Sequence, residues 1–408
     1  MKTAVKHALL VFVAARLLLA VWSIIVPVLL PAPTTPDPIL RPYQGQPHLT
    51  EGVTGLLLEP WQRFDTLHYM RIAEEGYAYE EDSVFPPLYP LASRTLGYLF
   101  GGGAAGNMWA ATLISHVAFI GVLIILFMMT DADLGSKSAA RTLIYLTFFP
   151  TGFFLLAPYT ESLFIFFALT SIWAARHNGR FGVAGLLGLL ASLTRLTGWV
   201  LLIPLAYEWW RQWGKPLLTH KRGNQVGVDA GEGSHPVKLF FGWANLMAVG
   251  LPGLGTAIFL IWRWAVGIPS LATIYQQYWY QSTGIPGTDL IRALETMFLG
   301  GHSRQGEFTL WFDFFCVILL VVSTYFVFRK LNVTYGLYSV LLLFFMLLPV
   351  SELKPLYSFS RYTLAFFPTF MILAQAGENP WVNRAVLYTS FILYLYFTGQ
   401  YFIWGWVA

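Results

Sequence analysis

Four short stretches of this 408-residue chain carry side chains of the kinds that move protons or hold phosphate. In the first, Trp61 to Pro90, Asp65 precedes a helix-competent run that Gly76 can end, so its carboxylate suits a helix N-cap as well as a general base. His68 lies one turn further along the same face, where it could orient Asp65 or meet a substrate hydroxyl; an interfacial histidine without special role fits the same spacing. The aromatic and proline cluster from Phe85 to Leu91, which includes Tyr89, suits packing at a membrane interface better than a binding box. The second stretch is the Pro158 to Glu161 turn, where Glu161 begins a helix and its carboxylate also favours the positive end of the helix dipole. Arg195 marks the third. An arginine inside an apolar run is expensive, so it is normally paired or lines a wet cavity, a structural ion pair or snorkelling being the plainer alternative. The fourth holds Arg361 between Ser360 and Tyr362, as an interfacial anchor or a phosphate ligand. His302 and Arg304 are weaker candidates of the same kind.

These residues must be positioned by membrane helices. Hydrophobic residues make up 56% of the chain and charged ones 11%, against about 25% charged in a soluble domain, and several apolar runs approach the roughly 20 residues that span a bilayer. The net charge of +4 is small and basic residues sit at segment ends, which indicates orientation and no nucleic-acid partner. The single cysteine, Cys316, excludes an intramolecular disulfide and a Cys-based metal site. Lys2 and Lys6 precede an apolar run too long for a signal peptide, and by the positive-inside rule they put the amino terminus in the cytoplasm. Residues 31–107 then form a long first external loop rich in acids, 208–238 a Gly-rich cytoplasmic linker, and 264–307 a second external loop, all within a single membrane domain of residues 1–408. A span over Phe181 to Tyr207 conflicts with basic residues expected inside at both its ends. Two short helices meeting outside around Thr194 to Gly198 resolve the conflict. The expectation is an all-α, polytopic integral membrane protein with about 11 segments, its four polar stretches gathered on the non-cytoplasmic face. Neither GxGxxG nor GxxxxGK[ST] occurs, so nucleotide chemistry has no support.

The same residues carry a family resemblance. Arg63-Phe64-Asp65-Thr66-Leu67-His68-Tyr69, Ile72-Ala73, Gly76-Tyr77-Ala78-Tyr79-Glu80 and Phe85-Pro86-Pro87-Leu88-Tyr89-Pro90 resemble the "RWD..HF..IA..GY.YE......FFPLYP" block of the PIG-V family, the second mannosyltransferase of GPI-anchor assembly, and its prokaryotic relatives. Phe149 to Phe154 with Tyr159, Glu161 and Leu163-Phe164, then Ala191 to Gly198 around Arg195, and Ser360-Arg361-Tyr362 with Pro368 are similar to later blocks in the same order. Departures at Phe64 (Trp in the family), Pro86 (Phe) and Thr197 (Asn) leave GPI assembly itself outside what is implied. The resemblance implies a GT-C-type bundle and a glycosyltransferase, specifically a mannosyltransferase, whose donor is a polyprenyl-phosphate sugar, used on the non-cytoplasmic face of the plasma membrane or an endomembrane, with a glycan or glycolipid as acceptor. It casts Asp65 as catalytic base, with His68, Tyr89, Glu161, Arg195, Arg361 and Tyr362 as the substrate-binding set. No cofactor and no metal are expected. Inversion by a single displacement fits, because no second carboxylate beyond Glu161 is at hand. A transporter or flippase of a lipid-linked sugar is the competing reading, since broken helices and intramembrane arginines also occur there.

Overall fold

The computed structural model describes residues 1–30, 41–214, 235–300, 307–351 and 353–407. Three helices are long and apolar enough to cross a membrane: Lys2–Leu29, Gly103–Leu134 and Phe308–Lys330. A fourth span arises if the pair Gly242–Val249 and Leu251–Ala265, bent by 42°, is taken as one. The chain is a multi-pass membrane protein of mainly helical structure. The count by length and composition is nevertheless three or four among the described residues, against the eleven or so expected from charge placement. The difference comes from breaks within apolar runs. The run after Arg141 leaves the helix Ser136–Thr147 early, because Pro150, Gly152 and Pro158 cannot continue it, and its remainder is a short 3-10 turn, Gly152–Leu155. Phe181–Thr194, Val333–Met346 and Phe367–Ala376 are likewise apolar but short.

The first helix shows how a span divides its faces. Ala4, Ala8, Val11, Ala15 and Leu19 recur at steps of three and four and are buried against the bundle, whereas Leu10, Leu17, Val21 and Val28 are exposed. An apolar stripe on both faces, one of them unpacked, suits lipid and would not suit water.

Between the first two long helices the chain folds into three short ones, Gly52–Leu58, Asp65–Glu75 and Leu88–Gly97, packed on the bundle through Leu58, Trp61, Leu67, Tyr69, Ile72 and Tyr89. In the stretch 208–238, residues up to 214 continue the helix Leu202–Trp209 through a π turn and residues from 235 open the helix His235–Val249; residues 215–234 lie outside the described set. The region 264–307 holds the helices Leu271–Tyr278 and Thr288–Leu299, with His302 and Arg304 outside the described residues. One departure from an all-helical chain is a two-residue antiparallel ribbon in which Ser282 pairs with Val350 and Thr283 with Pro349.

The break expected near Arg195 is present. The helix Phe181–Thr194 ends, Arg195 is extended at φ −145° and ψ 139°, and a 3-10 turn, Leu196–Leu201, leads into the next helix. Small residues fix this broken pair against the bent span: a Cβ on Gly185 would collide with the Ala248 carbonyl and one on Gly188 with Pro252. Glycines in such interfaces let backbones approach where no hydrophobic gain is available. Replacing Gly185 by Leu is expected to lower stability by about 1–3 kcal/mol, read as a fall in the thermal midpoint of the detergent-purified protein. The same change at Gly182, which faces open space on the same helix, should leave the midpoint near wild type.

Candidate active site

Asp65 is placed by strain in the residue before it. Phe64 adopts φ 51°, a region that costs a residue with a bulky side chain about 1–3 kcal/mol and persists only where the surroundings enforce it. Its ring is wedged against Tyr401, Trp404 and Trp406. The turn makes Asp65 the first residue of its helix, and no side-chain cap forms there. The carboxylate instead faces a cavity, and its Oδ2 accepts a hydrogen bond from Arg361 Nη1 at 2.8 Å. Its Oδ1 has no hydrogen-bond partner among the described residues.

Glu161 begins the helix Glu161–Asn178, as expected, but its surroundings go beyond a helix dipole. Its Oε1 accepts from Arg195 Nη1 at 2.5 Å and lies 3.4 Å from Arg361 Nε. Arg195, held at the helix break, also donates from Nη1 to Thr160 Oγ1 at 3.2 Å. The four side chains therefore alternate in sign in one row, Asp65, Arg361, Glu161, Arg195. Aromatic rings enclose it: Phe154, Tyr159 and Tyr362 stand 5.5–5.6 Å from the Arg361 guanidinium carbon, and Tyr362 is 5.5 Å from that of Arg195. Four segments far apart in sequence thus meet, each contributing one charge.

The row borders a cavity of about 440 Å³ lined by Asp65, Tyr69, Thr160, Arg195, Arg361 and Tyr362 together with apolar residues such as Phe85, Leu196, Leu271, Met346 and Leu348. That size falls within the range of small-ligand sites, and a mainly apolar wall with a few convergent polar groups is their usual make-up.

Two of the expected site residues stand elsewhere. His68 does not orient Asp65; its Nδ1 lies 2.7 Å from Asp82 Oδ1, and the fully buried Asp82 also accepts from Arg71 Nε and Nη2, each at 2.7 Å. This network ties the turn Glu80–Val84 to the Asp65 helix. Tyr89 is buried one layer behind the cavity, where its hydroxyl donates to the Ala111 carbonyl at 3.0 Å, and its ring meets that of Tyr69 edge-on. Tyr69 is the residue that reaches the cavity, its hydroxyl 3.2 Å from Thr160 Oγ1. Sequence reasoning also passed over Tyr275 and Gln281, which line the cavity from the region 264–307. A run of uncharged polar and aromatic residues from Tyr275 to Gln281, between more apolar stretches, was the available signal. Among the described residues no group of three or more His, Cys, Asp or Glu could hold a metal ion.

A second clamp holds the segment that delivers Arg361. Asp289 is buried, its Oδ1 accepting from the Ser351 amide at 3.0 Å and its Oδ2 from the Leu356 amide at 3.2 Å. With the ribbon, it fastens the region 264–307 to the chain leading into Arg361.

The profile of the mannosyltransferase (PIG-V) family matches residues 5–212, just over half of the chain. The chain belongs to that family. Over 170 residues it is 31% identical to GPI alpha-1,6-mannosyltransferase 2 of Mus musculus, a stretch covering 40% of this chain and 34% of the mouse protein. Over 161 residues it is 29% identical to GPI mannosyltransferase 2 of Yarrowia lipolytica, covering 37% and 43%. The chain thus spans about a third of the mouse relative's length and less than half of the yeast one's. Among solved structures, ArnT from Cupriavidus metallidurans bound to undecaprenyl phosphate is similar at a TM-score of 0.46 and 13% identity, covering 97% of this chain and 76% of that one. An Archaeoglobus fulgidus oligosaccharyltransferase in the apo form is similar at a TM-score of 0.41 and 12% identity, covering 95% and 56%.

The Asp289 clamp makes the site's support sensitive to pH. Burial raises this carboxyl from an ordinary 3.8 to about 6, the two amides and Arg292 opposing it in part. Because the folded value is the higher one, the associated stability is complete below the unfolded pKa and is lost as pH rises through 6. The thermal midpoint of the wild type relative to Asp289→Asn is expected to climb as pH falls from about 7 to about 4. Parallel curves for the two proteins would count against the assignment.

Proposed function

We propose that this chain is an inverting mannosyltransferase that moves a sugar from a polyprenyl-phosphate donor to a hydroxyl of a glycan or glycolipid on the non-cytoplasmic side of the membrane. The observation that carries the proposal is the meeting, at one largely apolar cavity, of an Asp65 oxygen without a hydrogen-bond partner and the guanidinium groups of Arg195 and Arg361. Family membership supports the mannosyl group, and the apolar lining supports a lipid-borne substrate.

In this reading the acceptor hydroxyl attacks the anomeric carbon, the bond from that carbon to the phosphate oxygen breaks, and polyprenyl phosphate leaves with the bonding electrons. The hydroxyl proton passes to Asp65 Oδ1. A positioned carboxylate in this role contributes about 10²- to 10⁴-fold. Arg361 and Arg195 hold the phosphate while its charge develops, through charge-assisted bonds formed in a site with little water. Arg361 donates from Nη1 to Asp65, while its Nε lies 3.4 Å from Glu161 Oε1 and has no hydrogen-bond partner among the described residues, so the incoming phosphate meets a guanidinium with donor capacity to spare. A single displacement is supported by the cavity wall, where Asp65 is the one acid among the described residues; Glu161 is turned toward the two arginines.

Asp65→Asn keeps the shape of the side chain and removes its basicity. It is expected to cut transfer from polyprenyl-phosphate mannose in membranes by about 10²- to 10⁴-fold while leaving donor binding within a few-fold of wild type. Full activity in the variant would remove Asp65 as the base. Lipid translocation by both proteins with sugar transfer by neither would favour a transporter.

A further inference from the structure

The cavity has another wall that the chemistry above does not use. Residues 271–283 form it, through Tyr275 on the helix Leu271–Tyr278 and through Gln281, Ser282 and Thr283 beyond its end. Both flanks of this wall are anchored. Toward the Asp65 segment, the Trp279 ring packs on Phe85 and His68 at centroid distances of 5.7 and 5.4 Å, the Tyr278 hydroxyl donates to Glu80 Oε2 at 3.2 Å, and Arg263 donates to the Ser83 carbonyl. Toward the Arg361 segment, the ribbon pairs Ser282 with Val350, and the Gly284 amide donates to the Leu348 carbonyl at 3.0 Å. The wall is therefore fixed relative to both halves of the charged row.

Its polar side chains are uncharged, and while the Ser282 hydroxyl donates to the Val350 carbonyl at 3.4 Å, those of Gln281 and Tyr275 are unused. Gln281 is 9% exposed and lines the cavity, yet its side-chain amide has no hydrogen-bond partner among the described residues. Gln281 therefore presents its amide donors and its acceptor to whatever occupies the cavity. The Tyr275 hydroxyl likewise has no partner there, and burial raises its pKa, keeping it a neutral donor. An amide offers two donors and an acceptor, and a phenol offers one of each beside an apolar ring face. Neutral groups of this kind suit a rim of hydroxyls on a ring with C–H faces, whereas the phosphate is served by the guanidiniums.

We propose that Gln281 and Tyr275 form the subsite for a hexopyranosyl group, Gln281 bonding its ring hydroxyls and Tyr275 contacting both a hydroxyl and the ring. The subsite rests on the lipid-phosphate sugar reading and adds to it the residues that recognise the sugar. Such a site rejects analogues lacking the matching hydroxyl, because its own polar groups are then left unpaired.

The test uses the full chain in lipid nanodiscs with three probes: polyprenyl-phosphate mannose, bare polyprenyl phosphate, and methyl mannoside as an acceptor mimic added at saturating bare lipid. Gln281→Ala is expected to weaken the sugar-bearing lipid about tenfold, ~1.4 kcal/mol, and to leave the bare lipid unchanged, which also shows that the variant is folded. Tyr275→Phe should move the same probe in the same direction by a smaller factor. If the loss falls on methyl mannoside alone, the subsite holds the acceptor's sugar rather than the donor's, and the assignment of the wall to a hexopyranosyl group stands. Unchanged affinity for all three probes overturns the subsite, as does equal weakening of both lipids. Binding of neither lipid by the wild type would instead defeat the underlying reading of the cavity, and the subsite with it.

Discussion

A guanidinium removed from water must meet an acid, because an ion buried without a partner costs several kcal/mol even after relaxation. Two such groups, Arg195 and Arg361, lie among aromatic rings in this protein, and the row Asp65, Arg361, Glu161, Arg195 is how both are accommodated. Each charge belongs to a different segment. Satisfying the row therefore requires the turn at Asp65, the helix start at Glu161, the break at Arg195 and the short helix Phe359–Tyr362 to arrive at one place together. Much of the local irregularity serves that requirement. Arg195 is reachable because its helix stops at Thr194, and Arg361 because the chain before it is tethered through Asp289 and the ribbon.

The sequence showed the charges more clearly than their geometry. Arg195 stood out since an arginine within an apolar run demands an explanation, and the conflict of basic residues at both ends of 181–207 already required a break there. Asp65 was legible as a residue of consequence, but spacing could not separate a cap from a base. What turns the carboxylate away from a cap is a backbone angle at Phe64 and a partner 296 residues away, and neither leaves a local trace. His68 misled for a related reason: helical spacing puts it one turn from Asp65 without revealing that Asp82, on the following turn, would capture it. The apolar runs that hydropathy registers are not all single long helices, because prolines and glycines divide several of them into short, partly irregular pieces.

Tyr275 and Gln281 escaped notice because neutral polar residues near a membrane surface need no partner and raise no electrostatic question. Their significance arises from their place on the cavity wall, which only the fold supplies. The same fold gives the cavity a division of labour among its walls, with charges contributed by four segments and neutral hydrogen-bonding groups by a fifth, all held to one another through contacts outside the cavity.

Phe64 has one more implication, and it concerns the order in which the protein can be made. The rings that hold this residue in its left-handed conformation belong to Tyr401, Trp404 and Trp406, and the neighbouring Arg63 donates to the Phe402 carbonyl. During synthesis the Asp65 segment emerges early and its buttress emerges more than three hundred residues later. Until then nothing opposes relaxation of Phe64 to an ordinary backbone angle. The turn that presents the Asp65 carboxylate to the cavity is consequently completed only once residues 401–406 have been made and packed against Phe64.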